Sequence, residues 1–167
     1  MFRFIIVFVV TLSTLFVLEM LEPVQTHLIQ PFTSGLAQLS ATLILPFDAG
    51  VSHYGRVLQH SSNNFAVSIE SGCNGIEAAI VLIAAVLAFP AAWRYRITAI
   101  VLGFIAIQVL NIGRIISLFY LGQWNLDLFT WTHLYLWPVL IMLDVMIVFL
   151  LYLRFLGTKT QAVAASA

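Results

Sequence analysis

Four long apolar runs alternate with more polar stretches along the chain. The runs cover residues 2–20, 75–91, 97–121 and 133–156. Each is close to the ~20 residues that an α-helix needs to cross the hydrocarbon core of a bilayer. The stretches between the last three runs are short, which favours antiparallel neighbours. The pattern therefore predicts an all-α integral membrane protein, built as an antiparallel bundle of four transmembrane helices.

A longer and more polar segment, residues 21–74, separates the first two runs. Between Val24 and Phe47, apolar side chains recur at helical spacing among polar ones, at Leu28, Phe32, Leu36, Leu39 and Leu43. This spacing predicts an amphipathic helix that lies at the membrane interface instead of crossing it. The polar residues 48–64 predict a loop.

Apolar and polar residues alternate from Phe65 to Glu70, just before the second run. This alternation predicts a short extended stretch, followed by a turn over Ser71–Gly75 and a helix that begins near Gly75 or Ile76. Because neither a repeat nor a linker divides the chain, residues 1–167 are expected to form a single membrane domain.

The composition supports a membrane protein and narrows its function. Of the 167 residues, 62% are hydrophobic and only 8% are charged. Ordinary soluble domains have fewer hydrophobic and more charged residues. The net charge of zero gives no indication of a nucleic-acid partner. A single cysteine excludes an internal disulfide and a Cys-x-x-Cys site. Only His133 falls in a predicted span, so a bis-histidine haem is disfavoured and no cofactor is expected.

Basic residues orient the predicted bundle. Five of the seven Lys and Arg residues fall on one side of it: Arg3, Arg94, Arg96, Arg154 and Lys159. The positive-inside rule makes that side cytoplasmic and places both termini there. Residues 21–74 and 122–132 are then extracytoplasmic. A fifth span in residues 24–47 would put Arg94 and Arg96 opposite Arg3, which disfavours it.

This orientation places three chemically reactive or charged residues at one extracytoplasmic level. Cys73 precedes the outer end of the second span, and His133 opens the fourth span. Arg114 lies inside the third span, about seven residues or roughly 10 Å from its outer end. A charged residue there is costly and indicates function or a specific buried partner. Cys73 also precedes a helix N-terminus, where the helix dipole favours a thiolate.

The three residue types fit nucleophilic attack on a peptide bond. A histidine can take the thiol proton and return it to a leaving amine, and a guanidinium can stabilise the thiolate or the oxyanion. The simpler alternatives are structural. Arg114 can neutralise Glu77 as an ion pair inside a non-enzymatic multi-pass membrane subunit or assembly factor, and His133 can belong to an interfacial aromatic belt. Asn111 is either a contact between helices or an orienter of Arg114.

At these residues the sequence resembles the exosortase/archaeosortase family of membrane-embedded cysteine proteases or transpeptidases. The family pattern is a Cys at the mouth of a helix, an Arg in an Asn-x-x-Arg setting and a His that opens a later helix. It reads here as Cys73-Asn74-Gly75, Asn111-Ile112-Gly113-Arg114 and His133. The resemblance extends from Phe65 to Phe155 and is nearest to the compact exosortase H type, because larger exosortases carry additional spans before these motifs.

The resemblance implies an enzyme of the bacterial cytoplasmic (inner) membrane with an extracytoplasmic active site. Cys73 would be the nucleophile, His133 the general acid and base, and Arg114 the transition-state stabiliser, with Asn111 and Glu77 as supporting residues. The implied substrates are exported proteins whose C-terminal tails combine a short motif, a transmembrane helix and a basic cluster. Ile-Pro-Thr-Leu-like motifs are associated with the H type. The acceptor that would resolve a thioester intermediate stays open.

Overall fold

A computed structural model describes residues 2–165, with side chains up to residue 158. The Lys159 side chain, one of the five that orient the predicted bundle, lies outside the described part. Seven α-helices are α1 (Phe2–Met20), α2 (Glu22–Val24), α3 (Gln30–Ile44), α4 (Ile76–Ala88), α5 (Trp93–Trp124), α6 (Leu126–Trp131) and α7 (Trp137–Ala165). Turns of π-helix join α2 to α3 (Gln25–Ile29) and α6 to α7 (Thr132–Leu136).

Helices α4, α5 and α7 pack side by side in alternating directions, and α1 packs against α4. At one end, Arg96 near the start of α5 donates to the carbonyl of Phe89 just after α4. At the same end, the ring of Tyr95 meets the ring of Phe155 late in α7 at 5.7 Å. The expected antiparallel arrangement of neighbouring helices is therefore present.

Three helical stretches are long and apolar enough to cross a membrane among the described residues: Phe2–Met20, Trp93–Trp124 and Leu126–Thr158. They make the protein a multi-pass membrane protein. The second predicted span is a shorter apolar helix, α4, with 13 residues. At 1.5 Å per residue it is about 20 Å long, less than the ~30 Å hydrocarbon core. α4 is the most buried helix of the bundle, which explains its continuous apolar sequence.

The polar loop expected over residues 122–132 is helical except at Asn125. α5 continues to Trp124, and the Asn125 side chain accepts hydrogen bonds from the backbone N–H groups of Asp127 and Leu128. This N-cap starts α6 immediately. The fourth predicted span is thereby extended at its start by one short helix, which carries part of the site described below.

The segment between Val24 and Phe47, here called the interface segment, is mainly helical. The apolar face predicted for this helix is only partly correct. Leu36 is buried, whereas Leu28, Leu39 and Leu43 are 64%, 45% and 47% exposed. The face that packs against the rest of the protein instead consists of Ile29, Thr33, Leu36, Ala37, Ser40, Ala41 and Ile44. Small and hydroxyl-bearing residues occupy this face because they permit close approach to α5, so hydrophobicity alone does not identify it.

A three-stranded antiparallel sheet occupies most of the stretch predicted as a loop. Its strands are β1 (Val51–Tyr54), β2 (Val57–His60) and β3 (Ala66–Ser68), in the spatial order β1-β2-β3. β3 is the extended stretch expected from the alternation before the second span. Leu58 is fully buried and belongs to one core with Phe119 of α5 and Leu36 of α3. The sheet is therefore fixed to the helices and not free in solution.

Gly103 marks a close approach of three helices. A Cβ atom at this position would lie 2.8 Å from Cγ1 of Val148 in α7 and would collide with the side chain of Leu82 in α4. Such small residues allow helix backbones to approach closely in membranes.

Replacing Gly103 by Val should lower the free energy of unfolding by about 1–3 kcal/mol through overpacking. The measurement is the unfolding transition of the purified protein in detergent. Gly113→Val is the matched control, since a Cβ atom at this exposed position of the same helix meets no atom within 4 Å. Equal losses in the two variants would contradict the packing argument.

Candidate active site

Cys73 lies in a tight turn between strand β3 and helix α4. Its backbone N–H donates to the carbonyl of Glu70 at 2.9 Å. Gly75, which precedes the first helical residue, has a φ of 77°, in the left-handed region where a side chain is strained. A Cβ atom there would also lie 2.9 Å from Nε2 of Gln108. The turn therefore requires glycine at this position, both for its conformation and for the space.

Asn74 fixes the turn to three different parts of the chain. Its side-chain oxygen accepts the N–H of Ile76 at 3.0 Å, and its amide donates to Oγ1 of Thr33 at 3.3 Å. Its backbone carbonyl accepts from Nε2 of Gln108 at 3.2 Å. The Asn74 residue is fully buried. The interface segment, through Thr33, thus supports the turn that presents Cys73.

Arg114 of α5 reaches the same turn. It is only 6% exposed, and its guanidinium donates through Nη2 to Sγ of Cys73 at 3.4 Å. Its Nη1 donates to the carbonyl of Gly72 at 3.2 Å. One rigid, permanently charged group therefore both holds the backbone before Cys73 and lies against its sulfur.

His133 also lies close to the sulfur of Cys73. It lies in the π-helical turn Thr132–Leu136, and its Nε2 is 4.0 Å from Sγ of Cys73. The imidazole stacks on the ring of Phe129, with centroids 5.7 Å apart and planes 2° from parallel. Nδ1 of His133 has no hydrogen-bond partner among the described residues. An aromatic ring, and not a carboxylate, therefore sets the plane of this imidazole.

Glu77 has a different partner from the one predicted. Arg114 and Glu77 form no ion pair in the described part of the chain, because the guanidinium is turned toward Cys73 and Gly72. The Glu77 carboxylate instead accepts the backbone N–H of Gly72. Glu19, at the end of α1, lies beside Glu77 and interacts with its side chain. The alternative of a structural ion pair between Arg114 and Glu77 is therefore not present among the described residues, although Glu77 does contact the turn.

Asn111 is fully buried one helical turn before Arg114. Its Nδ2 lies 3.4 Å from where a Cβ atom of Gly75 would be, so it packs under the start of α4. Neither polar atom of its side chain has a hydrogen-bond partner among the described residues. Asn111 is thus a contact between helices α5 and α4 and does not bond to Arg114.

Cys73, Arg114 and His133 open into one cleft of about 430 Å³. One wall is formed by residues 65–71, which include strand β3 and the residues after it. The lining also contains Ile115 and Leu118 of α5 with Leu126 and Phe129 of α6. A volume of this size is typical of small-ligand pockets. No group of three or more metal-ligating His, Cys, Asp or Glu residues occurs in the described chain.

Two opposing effects act on the Cys73 thiol. Burial raises its pKa, and the positive charge of Arg114 lowers it, while Glu77 and Glu70 raise it further. The balance is a pKa above the ordinary value. The sequence predicted a thiolate because Cys73 precedes a helix N-terminus. In the structure, the effect of desolvation on the thiol pKa is larger than the effects that stabilise the thiolate. At neutral pH the thiol form of Cys73 is therefore favoured, and the nearby imidazole of His133 is a base that can accept its proton.

Several residues of this site have no strong signal in the sequence. Thr33 and Phe129 are ordinary members of helical segments, and Gln108 appears only as part of a polar helix face. Asn74 carried a weak signal, because an Asn just before an apolar helix is a common capping residue. Thr33, Gln108 and Asn74 act through contacts between segments distant in the sequence, whereas Phe129 stacks on His133 four residues later.

Replacing Arg114 by Gln should raise the pKa of the Cys73 thiol further, since the positive charge that stabilises the thiolate is removed. Alkylation of the only cysteine by iodoacetamide reports this pKa, because the thiolate is the reactive form. The midpoint of alkylation rate against pH, followed by mass spectrometry of the full chain in detergent, should move upward. Arg94→Gln, at the other end of α5, should leave it unchanged. A lower or equal midpoint for Arg114→Gln would contradict the contact with Sγ.

The chain matches one family of known proteins over nearly its whole length. The profile of the transmembrane exosortases (Exosortase_EpsH) matches residues 1–152 of 167. No curated protein and no solved structure gives a significant match. The family expected from the Cys, Arg and His motifs is confirmed, and the match also includes α1 and the interface segment. This chain belongs to the transmembrane exosortase family.

Proposed function

We propose that this protein is a membrane-embedded cysteine protease or transpeptidase that cleaves C-terminal sorting signals of exported proteins. The observation that carries the proposal is the convergence of Cys73, Arg114 and His133, which come from a turn, the interior of α5 and a π-helical turn. Membership of a family of membrane sorting enzymes supports the reaction class. The three side chains face one cleft, so a peptide there meets all of them.

In the proposed reaction, Nε2 of His133 takes the thiol proton as Sγ of Cys73 attacks the carbonyl carbon of the scissile peptide bond. The S–C bond forms, and the developing oxyanion is stabilised by the Arg114 guanidinium. The C–N bond then breaks, and His133 returns the proton to the leaving amine. The product is a thioester on Cys73. Water or an acceptor nucleophile attacks this thioester, restores the thiol and releases the new C-terminus.

The distances suit this sequence of steps. The 4.0 Å from Sγ to Nε2 lies at the outer limit of a sulfur hydrogen bond, and such contacts tighten when substrate is bound. Nη2 of Arg114 is 3.4 Å from Sγ, close enough to reach an oxyanion formed on the adjoining carbon. The stack on Phe129 holds the imidazole plane without an acidic partner.

We further propose that the active site faces the extracytoplasmic side and that both termini are cytoplasmic. The basic residues Arg3, Arg94 and Arg96 support this orientation. A substrate tail helix would lie beside the bundle, with its motif at the level of Cys73 and its basic end at the cytoplasmic surface. α4 would complete a four-helix membrane unit despite its 13 residues, because the helices around it cover its apolar side chains.

Removing the thiol should abolish processing. The assay uses a tagged exported reporter that ends in an Ile-Pro-Thr-Leu motif, a transmembrane helix and a basic tail, expressed with the full chain. Cys73→Ala should lower the processing rate by at least about 10³-fold. Acid quenching of the parent protein with substrate should yield a covalent adduct whose mass identifies the fragment attached to Cys73. Unchanged processing by Cys73→Ala would overturn the proposal.

The histidine and arginine should differ in their effects. His133→Ala removes the general acid and base and should cost about 10²–10⁴-fold in rate. Arg114→Lys keeps a charge but loses the fork that contacts both Gly72 and Cys73, and should cost about 10²-fold or more. His53→Ala is the matched control, because this histidine is exposed on β1. Equal rates for His53→Ala and His133→Ala would remove His133 from the mechanism.

A further inference from the structure

Strand β3 leaves one edge of the sheet open, and that edge lies at the active site. The sheet has the order β1-β2-β3, so β3 pairs with β2 on one side only. The cleft wall includes every residue from Phe65 to Ser71, which covers β3 completely. The residues of this strand thus line the same cavity as Cys73.

The register decides which backbone groups are unpaired. His60 N–H donates to the carbonyl of Phe65 at 2.9 Å, and Ile69 N–H donates to the carbonyl of Arg56 at 3.0 Å. Hydrogen-bonded pairs alternate along an antiparallel ladder, so Val67 is the next residue of β3 that bonds to β2. The N–H and C=O groups of Ala66 and Ser68 therefore point to the open edge.

No other described residue hydrogen-bonds to the backbone of Ala66 or Ser68. Both residues are exposed, whereas the neighbouring Ile69 is buried in the core with Leu58. The helical residues that line the cleft include Leu118, Leu126 and Phe129, whose apolar side chains offer these backbone groups no partner. Two donors and two acceptors, spaced as in a sheet, thus face a slot that leads to the thiol.

We propose that β3 binds an extended peptide segment of the substrate as a fourth strand and so delivers its scissile bond to Cys73. This inference rests on the proposed peptide-cleaving function and specifies how the peptide is held. Main-chain hydrogen bonds to Ala66 and Ser68 would hold the segment, and its alternate side chains would contact the apolar wall. The turn after β3 keeps Cys73 close to the end of this strand, because the Cys73 N–H donates to the carbonyl of Glu70.

The arrangement favours a main chain over other occupants. A lipid tail would leave four backbone groups in the slot without partners, which costs free energy for each buried group. An extended segment of the substrate can hydrogen-bond to all four groups through the N–H and C=O groups of every second residue. The open edge lies in the same cleft as Cys73, Arg114 and His133. A strand bound there is therefore expected to come from the substrate and not from the sheet of a second copy of this chain.

The first experiment tests the alternation in the substrate. The probe is a synthetic peptide with the Ile-Pro-Thr-Leu motif, a transmembrane helix and a basic tail, reconstituted with the full chain in nanodiscs. Single ester bonds replace the amides at successive non-proline residues before the cleaved bond. Each ester that removes an N–H facing β3 should lower kcat/KM about two- to tenfold, and the esters between them should have little effect. A uniform effect, or none, would overturn the proposal.

The second experiment changes the strand. Ser68→Pro removes an N–H that faces away from β2, a position where sheets tolerate proline. It should lower kcat/KM at least about tenfold for this peptide. Ser68→Ala controls for the lost hydroxyl, which bonds to Glu70 at 2.8 Å. His53→Pro is the matched control on the outer edge of β1, away from the cleft, and should leave kcat/KM unchanged.

The readouts separate this inference from the proposed function. Iodoacetamide alkylation of Cys73 should proceed at the parent rate in Ser68→Pro, which shows that the catalytic turn is intact. Cysteine-dependent cleavage that is indifferent to Ser68→Pro and to the esters would overturn edge pairing and leave the protease standing. Absence of any Cys73-dependent cleavage by the parent protein would instead reject the function. Crosslinking of β3 to a second copy without substrate would also overturn the inference.

Discussion

The contact of the Arg114 guanidinium with the turn before α4 is the interaction on which the site depends. This guanidinium is only 6% exposed, and a backbone carbonyl and a sulfur accept from Nη1 and Nη2, while Nε has no partner among the described residues. The cost of burying Arg114 within α5 is thus partly offset by the turn that carries Cys73, because this turn packs against α5 at the level of Arg114. The same contact that stabilises the buried charge places it beside the Cys73 thiol.

The turn itself is specified by polar contacts in an otherwise apolar protein. Asn74 connects α3, α4 and α5 through Thr33, Ile76 and Gln108. Glu77 holds the N–H of Gly72, and Gly75 allows the backbone to enter the helix in a left-handed conformation. Such contacts have few competing partners in an apolar setting, so they select one geometry for the cysteine.

The division between helices and sheet matches two tasks. The helices α1, α5 and the α6–α7 stretch have the length and hydropathy for a bilayer, and they hold Arg114 and His133. The small sheet packs on α3 and α5 through Leu58 and presents the open edge of β3 beside Cys73. The membrane-length helices and the small sheet therefore meet at one cleft.

The sequence by itself determined the membrane class, the apolar helices and the extended stretch at β3. It also singled out Cys73, Arg114 and His133 as residues that lie close together. Hydropathy and residue chemistry are local properties, and they are readable without coordinates. Only the tertiary structure decided that Arg114 bonds to Gly72 and Cys73 instead of Glu77, that Phe129 orients His133, and that Thr33 holds Asn74. Apart from Phe129 and His133, which are four residues apart, those contacts join residues about forty positions apart. The rotation of each helix about its axis selects among several partners that the sequence allows equally.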